Sequence, residues 1–252
     1  MPMKPDRNLS ARCAFLAACI ICIASMLRAG DDIGSESRYT LFPYYKIADQ
    51  WTGFNYLGFV NNPDKDYQSY YLGIGANWQP QPWIQVWGGL IGLYTDNATK
   101  ANTLELRPFI GPKFFLPNDW KWNIYNFTRY EYRATENLDT HDWSGKNRLR
   151  SRFGIEAPLT SKATAWDPKT FYLLADVEPY YTFEAGQIDP VRLRAGLGYV
   201  VNDRIRVEFI YHAEYTRPNG GGLEHTNNIF RLNIKIGLDG SLLNRLRNPS
   251  AD

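Results

Sequence analysis

The chain has 252 residues, of which 44% are hydrophobic, 15% aromatic and 21% charged. That is too apolar for a disordered chain and too charged for a bundle of membrane helices. A formal net charge of +2 gives no bulk attraction for nucleic acid, so no nucleic-acid partner is expected.

Residues 1–29 have the order of a secretory signal peptide. Lys4, Arg7 and Arg12 form a basic start, Cys13 to Leu27 carries no charge, and Ala29 offers a small residue at the cut. Fifteen apolar residues fall short of the roughly 20 that span a bilayer as a helix. Leu16-Ala17-Ala18-Cys19 resembles a lipoprotein cleavage box, but cutting there would leave the apolar Ile20–Leu27 on the mature protein. Cys13, Cys19 and Cys22 all lie in this leader, so the mature chain is expected to hold no disulfide, no cysteine metal site and no cysteine nucleophile. Without the leader, 24 basic residues face 25 acidic ones, and the positive charge belongs to the address.

Residues 30–50 form an arm or an extra strand, because Tyr39, Leu41, Pro43, Tyr45 and Ile47 alternate with polar neighbours. Segments 52–61, 67–78 and 82–94 follow as strands. Their alternation is blurred by Gly73, Gly75, Gly88, Gly89 and Gly92. Segments 104–114, 121–134, 148–159, 171–183, 191–201, 205–215 and 230–238 complete ten strands, mostly with a period of two over 9–13 residues. In the six cleanest, one face carries no charge and the other carries nearly all of it. Gln79–Gln81, Pro117–Asp119 and Asn202–Asp203 are tight turns. The links 62–66, 95–100, 135–144 and 217–224 are longer, and 160–169 breaks the rule by being long on the tight side. Residues 239–252 form a polar tail, with a trace of helical period at Leu242, Leu243 and Leu246.

Short turns at one end, long loops at the other and strands above the usual length predict an all-β fold. It is a closed antiparallel transmembrane β-barrel of about ten strands, or twelve if the arm joins, over residues 51–238. An even count puts both ends on the periplasmic side. Trp78, Trp83, Tyr94, Trp120, Trp122, Tyr132, Phe171, Phe183, Tyr199 and Tyr215 fall at strand ends, where aromatic girdles belong. The expected surroundings are outer-membrane lipid, reached through the barrel-assembly machinery, with the tail in the periplasm. The competing architecture is a soluble lipocalin-like barrel with the apolar face inside.

Three stretches carry a family resemblance: Asn147-Arg148-Leu149-Arg150-Ser151-Arg152-Phe153-Gly154, Asp176-Val177-Glu178-Pro179-Tyr180 and Arg192-Leu193-Arg194-Ala195-Gly196-Leu197-Gly198-Tyr199. Over residues 145–238 the chain resembles the bacterial domain-of-unknown-function family 2490. The resemblance implies an outer-membrane barrel without an assigned activity and supplies no catalytic residue. Barrels of the outer membrane typically finish on an aromatic residue; here Phe230–Leu238 takes that place as an internal assembly signal.

By parity the inner face holds Glu105, Arg107, Arg129, Glu131, Arg133, Arg148, Arg150, Arg152, Glu156, Asp176, Glu178, Arg192, Arg194, Arg206, Glu208, Glu214, Arg231 and Lys235. With Lys113 that is twelve basic against seven acidic residues. In a narrow barrel such a set is a charge-paired plug. If space remains, the basic excess makes a narrow anion-leaning, porin-like channel. No enzyme is expected: Ser151 points outward without a histidine in register, and His141, Asp142 and Ser144 lie too close along the chain to form a triad. A lipid-modifying enzyme remains as an analogy of fold. Three scattered histidines make no metal site, and no cofactor is expected.

Overall fold

A computed structural model describes residues 33–160, 164–218 and 221–239. The leader and all but the first residue of the polar tail lie outside these. Eleven strands close into one barrel: β1 (Gly34–Ala48), β2 (Trp51–Asn62), β3 (Tyr67–Gln81), β4 (Ile84–Asn97), β5 (Thr103–Leu116), β6 (Asn123–Asn137), β7 (Trp143–Pro158), β8 (Thr170–Thr182), β9 (Gln187–Asn202), β10 (Ile205–Thr216) and β11 (Glu224–Gly237).

The count corrects both ten and twelve. The arm is a full strand that fills the gap between β2 and β11 and satisfies the backbone groups along both edges. An odd count cannot alternate all the way round. Neighbours pair antiparallel except at the closure, where β1 runs parallel to β11, Gly34 beside Asn227 and Tyr44 beside Gly237. The expectation that both ends share one side therefore fails. Gly34 stands at one rim and Gly237 at the other.

The simple contrast of loop lengths is also corrected. The rim where β1 begins carries links 63–66, 98–102, 138–142, 183–186 and 217–223. The opposite rim has the two-residue turns 49–50, 82–83 and 203–204, but also 117–122 and the longest link, 159–169. At the first rim Gly186 takes φ +62°, in the left-handed region that glycine enters without cost.

The strands are 12–16 residues long, and their alternation sorts the chemistry. Leu72, Ile74, Ile110, Phe153 and Phe209 point outward and are exposed, while Glu131, Arg206 and Glu208 point inward and are buried. Outward rings gather near the two rims. Trp51 stacks on Trp78 at 6.1 Å and Phe171 packs on Tyr199 at 4.4 Å near one rim, with Tyr70–Tyr94 and Tyr181–Phe183 near the other. The lipocalin-like arrangement, with the apolar face inside, is not the one adopted.

Inner-face glycines account for part of the blurring in the early segments. A Cβ at Gly75 would run into the Phe54 ring, and one at Gly89 would meet the Ile74 carbonyl and, at 3.1 Å, the Phe109 ring. Glycine there makes room for neighbouring aromatics inside the barrel. The closest approach to neighbouring backbone is at Gly111, where a Cβ would collide with the Thr128 carbonyl and Arg129 Cα, both of β6. Gly111→Ala is expected to cost about 1–3 kcal/mol, since neither obstacle can swing away. Gly92→Ala, with its nearest neighbour at 3.7 Å, should leave the thermal midpoint nearly unchanged. Equal midpoints for the two variants would refute the steric account.

Candidate functional site: a two-sided lumen

The eighteen charged residues singled out by parity all sit on the inner face of β5–β11. The structure joins them through shared carboxylates. Glu131, fully buried on β6, receives Arg129 at 2.6 Å, Arg148 at 2.6 Å and Arg150 at 2.8 Å. Glu178 on β8 receives Arg150 at 2.9 Å and Arg152 at 2.8 Å, and the Tyr180 hydroxyl donates to it. Glu105 holds Arg107 and Arg133; Asp176 holds Arg194 and Glu214 holds Arg192, each at 2.5 Å. Toward the rim where β11 ends, Glu208 accepts from Lys235, Tyr172 and Asn233, and Arg206 lies between Glu208 and Glu156. Removing so many charges from water is tolerable because most carboxylates have more than one cationic or hydroxyl partner.

Two cations stand apart. Among the described residues no carboxylate pairs with Arg231, whose guanidinium reaches only Thr40 Oγ1 and the Tyr56 hydroxyl, the latter at 3.0 Å. Lys113 Nζ lies 4.8 and 4.3 Å from the ring centroids of Phe115 and Tyr125. His212 points inward, is 1% exposed, and has no hydrogen-bond partner on either ring nitrogen among the described residues.

Sequence reasoning missed three parts of the lumen. β1 contributes an ion pair of Glu36 with Arg38, braced by the Tyr67 hydroxyl at 2.5 Å. The inner face of β1–β5 is largely aromatic: Phe42 packs on Tyr56 at 4.9 Å, and Phe54 on Trp87 at 5.0 Å. Finally, residues 164–167 of the link 159–169 turn into the barrel. Thr164 and Asp167 close a turn that drives Trp166 inward, to 6% exposure, with its ring 3.5 Å from the Arg206 guanidinium. That link's anomalous length was the signal for it.

An aromatic half-wall thus faces an arginine-rich one. Between them lies a cavity of about 240 Å³, lined by ten basic residues and four acidic ones together with the rings. The sequence-proximal trio does not converge. His141 faces Glu136 at 3.1 Å, and Ser144 Oγ donates to the Thr135 carbonyl. Ser151 is on the outer face, bonded to Thr128 and Asn126. Outside the barrel wall, the Asn147 backbone N–H donates to Glu184 at 2.7 Å and holds that carboxyl below its ordinary range.

A family model described as a protein of unknown function (DUF2490) matches residues 39–224. No curated protein matches the chain.

Proposed function

We propose, for a chain that belongs to the DUF2490 family of proteins of unknown function, an integral outer-membrane barrel whose lumen is sealed rather than conducting. It is exported by the leader at residues 1–29, delivered to outer-membrane lipid by the barrel-assembly machinery, and acts without catalysing a reaction. The observation that carries this reading is the inverted distribution of side chains. Large apolar residues such as Leu72, Ile110 and Phe209 are more than half exposed on the outside, while ion pairs line much of the inside. A water-soluble protein rarely leaves so continuous an apolar surface uncovered. In lipid the same surface is satisfied, and a closed barrel leaves no backbone edge. Strands of 12–16 residues exceed the 9–11 or so needed to cross with tilt. The shared carboxylates and Trp166 support a sealed lumen, whereas the basic lining favours a second reading, a narrow anion conduit.

The test is fractionation followed by gel migration with and without boiling, then planar-bilayer recording. The expected result is a membrane-bound band whose mobility changes on boiling, and no stable conductance. Steady anion-selective steps would replace the sealed barrel by the conduit. Release without detergent would overturn the membrane assignment itself.

A further inference from the structure

We propose that the luminal cavity binds a small amphipathic carboxylate, with its head at Arg231, Arg194 and His212 and its apolar body along Phe42, Phe54 and Trp87. The proposal takes as its site the sealed lumen of the preceding reading.

The head site is built from donors that the barrel does not use up. Ile210 of β10 pairs with Arg231 of β11, which lies beside Arg38 of β1, and His212 of β10 pairs with Arg194 of β9. These groups therefore share one stretch of wall. The neighbouring guanidiniums are already compensated: Arg38 by Glu36, Arg192 by Glu214 and Arg194 by Asp176. Among the described residues Arg194 Nη2 is buried without a partner, and both His212 nitrogens are equally unengaged. Arg231 has only neutral oxygens. A buried cation without a counter-charge is costly, and one monovalent anion at this point cancels that cost while accepting from the idle donors.

The body site begins where the head site ends. Arg231 bonds Tyr56, Tyr56 packs on Phe42, and Phe54 continues the wall to Trp87. A bare inorganic anion would leave these rings unused, and a neutral apolar ligand would leave Arg231 uncompensated. A head of single charge joined to an apolar body uses both halves. The volume of about 240 Å³ lies below the usual range of about 300–1,000 Å³ for ligand pockets, so the ligand is small.

The experiment is calorimetry on the full-length chain extracted in a non-ionic detergent, titrated with phenylacetate, 2-phenylethanol and inorganic phosphate. Phenylacetate is expected to bind saturably, and the alcohol and phosphate not to bind. Arg231→Met should weaken phenylacetate at least tenfold. His212→Leu sacrifices no hydrogen bond, so it tests the site even where Arg231→Met does not fold, and it should weaken binding several-fold. Absence of saturable phenylacetate binding, binding by both variants as tight as wild type, or binding of phosphate alone would overturn the proposal. Gel migration separates the two readings. A barrel that stays in the membrane without binding sinks the ligand only; a barrel that binds but needs no detergent sinks the membrane assignment only.

Discussion

Glu131→Ala is expected to destabilise the barrel by about 3–5 kcal/mol, the range for leaving a buried charge without its partner. Glu131 is fully buried and is shared by Arg129 on its own strand and by Arg148 and Arg150 across the β6–β7 seam. Arg150 retains Glu178, but Arg129 and Arg148 have no other carboxylate within ion-pair distance among the described residues. Two guanidiniums would therefore lose their counter-charge at once. The midpoint temperature of the gel-mobility change measures the cost. Adding Arg148→Met should restore part of it, because the two positions act as one unit. A midpoint equal to wild type would mean that water, not Glu131, solvates these arginines.

Trp166→Ala should cost a similar amount, about 3–5 kcal/mol, and should also change what passes through the lumen. The indole belongs to the apolar cluster of Tyr44, Phe54, Tyr172 and Leu174, and it covers Arg206. On the sealed-lumen proposal, its removal takes away a stopper. Conductance is then expected in planar bilayers from the alanine variant and none from wild type, and Trp166→Phe should stay near wild type. A closed lumen in the alanine variant would assign the seal to the ion-pair network alone.

How much of this was legible depends on which face carries the contrast. From β7 to β11 charge and apolarity alternate cleanly, so parity alone located Arg148, Arg150, Glu178 and Arg206 on the inner face. In β2–β4 both faces are apolar, and Phe54, Tyr56 and Trp87 could not be told from outward-facing rings. Which carboxylate meets which arginine depends on register and diagonal reach across strands, as with Arg150 and Glu178, and composition carries no trace of that. The odd count was invisible for a similar reason. A strand has the same period of two whether its neighbour runs parallel or antiparallel, so β1 could be seen as extended but not as the closing member. Trp166 lies in a link, where periodicity says nothing about direction.

The parallel seam gives the barrel a mechanical asymmetry. Because β1 starts at one rim and β11 finishes at the other, tension applied between Gly34 and Gly237 runs along the seam rather than across it. The ladder is loaded in shear, with its hydrogen bonds sharing the force at once, where an antiparallel closure with both ends at one rim would open bond by bond from that rim. A barrel closed in this way resists being pulled open from its two ends more than one whose ends share a rim.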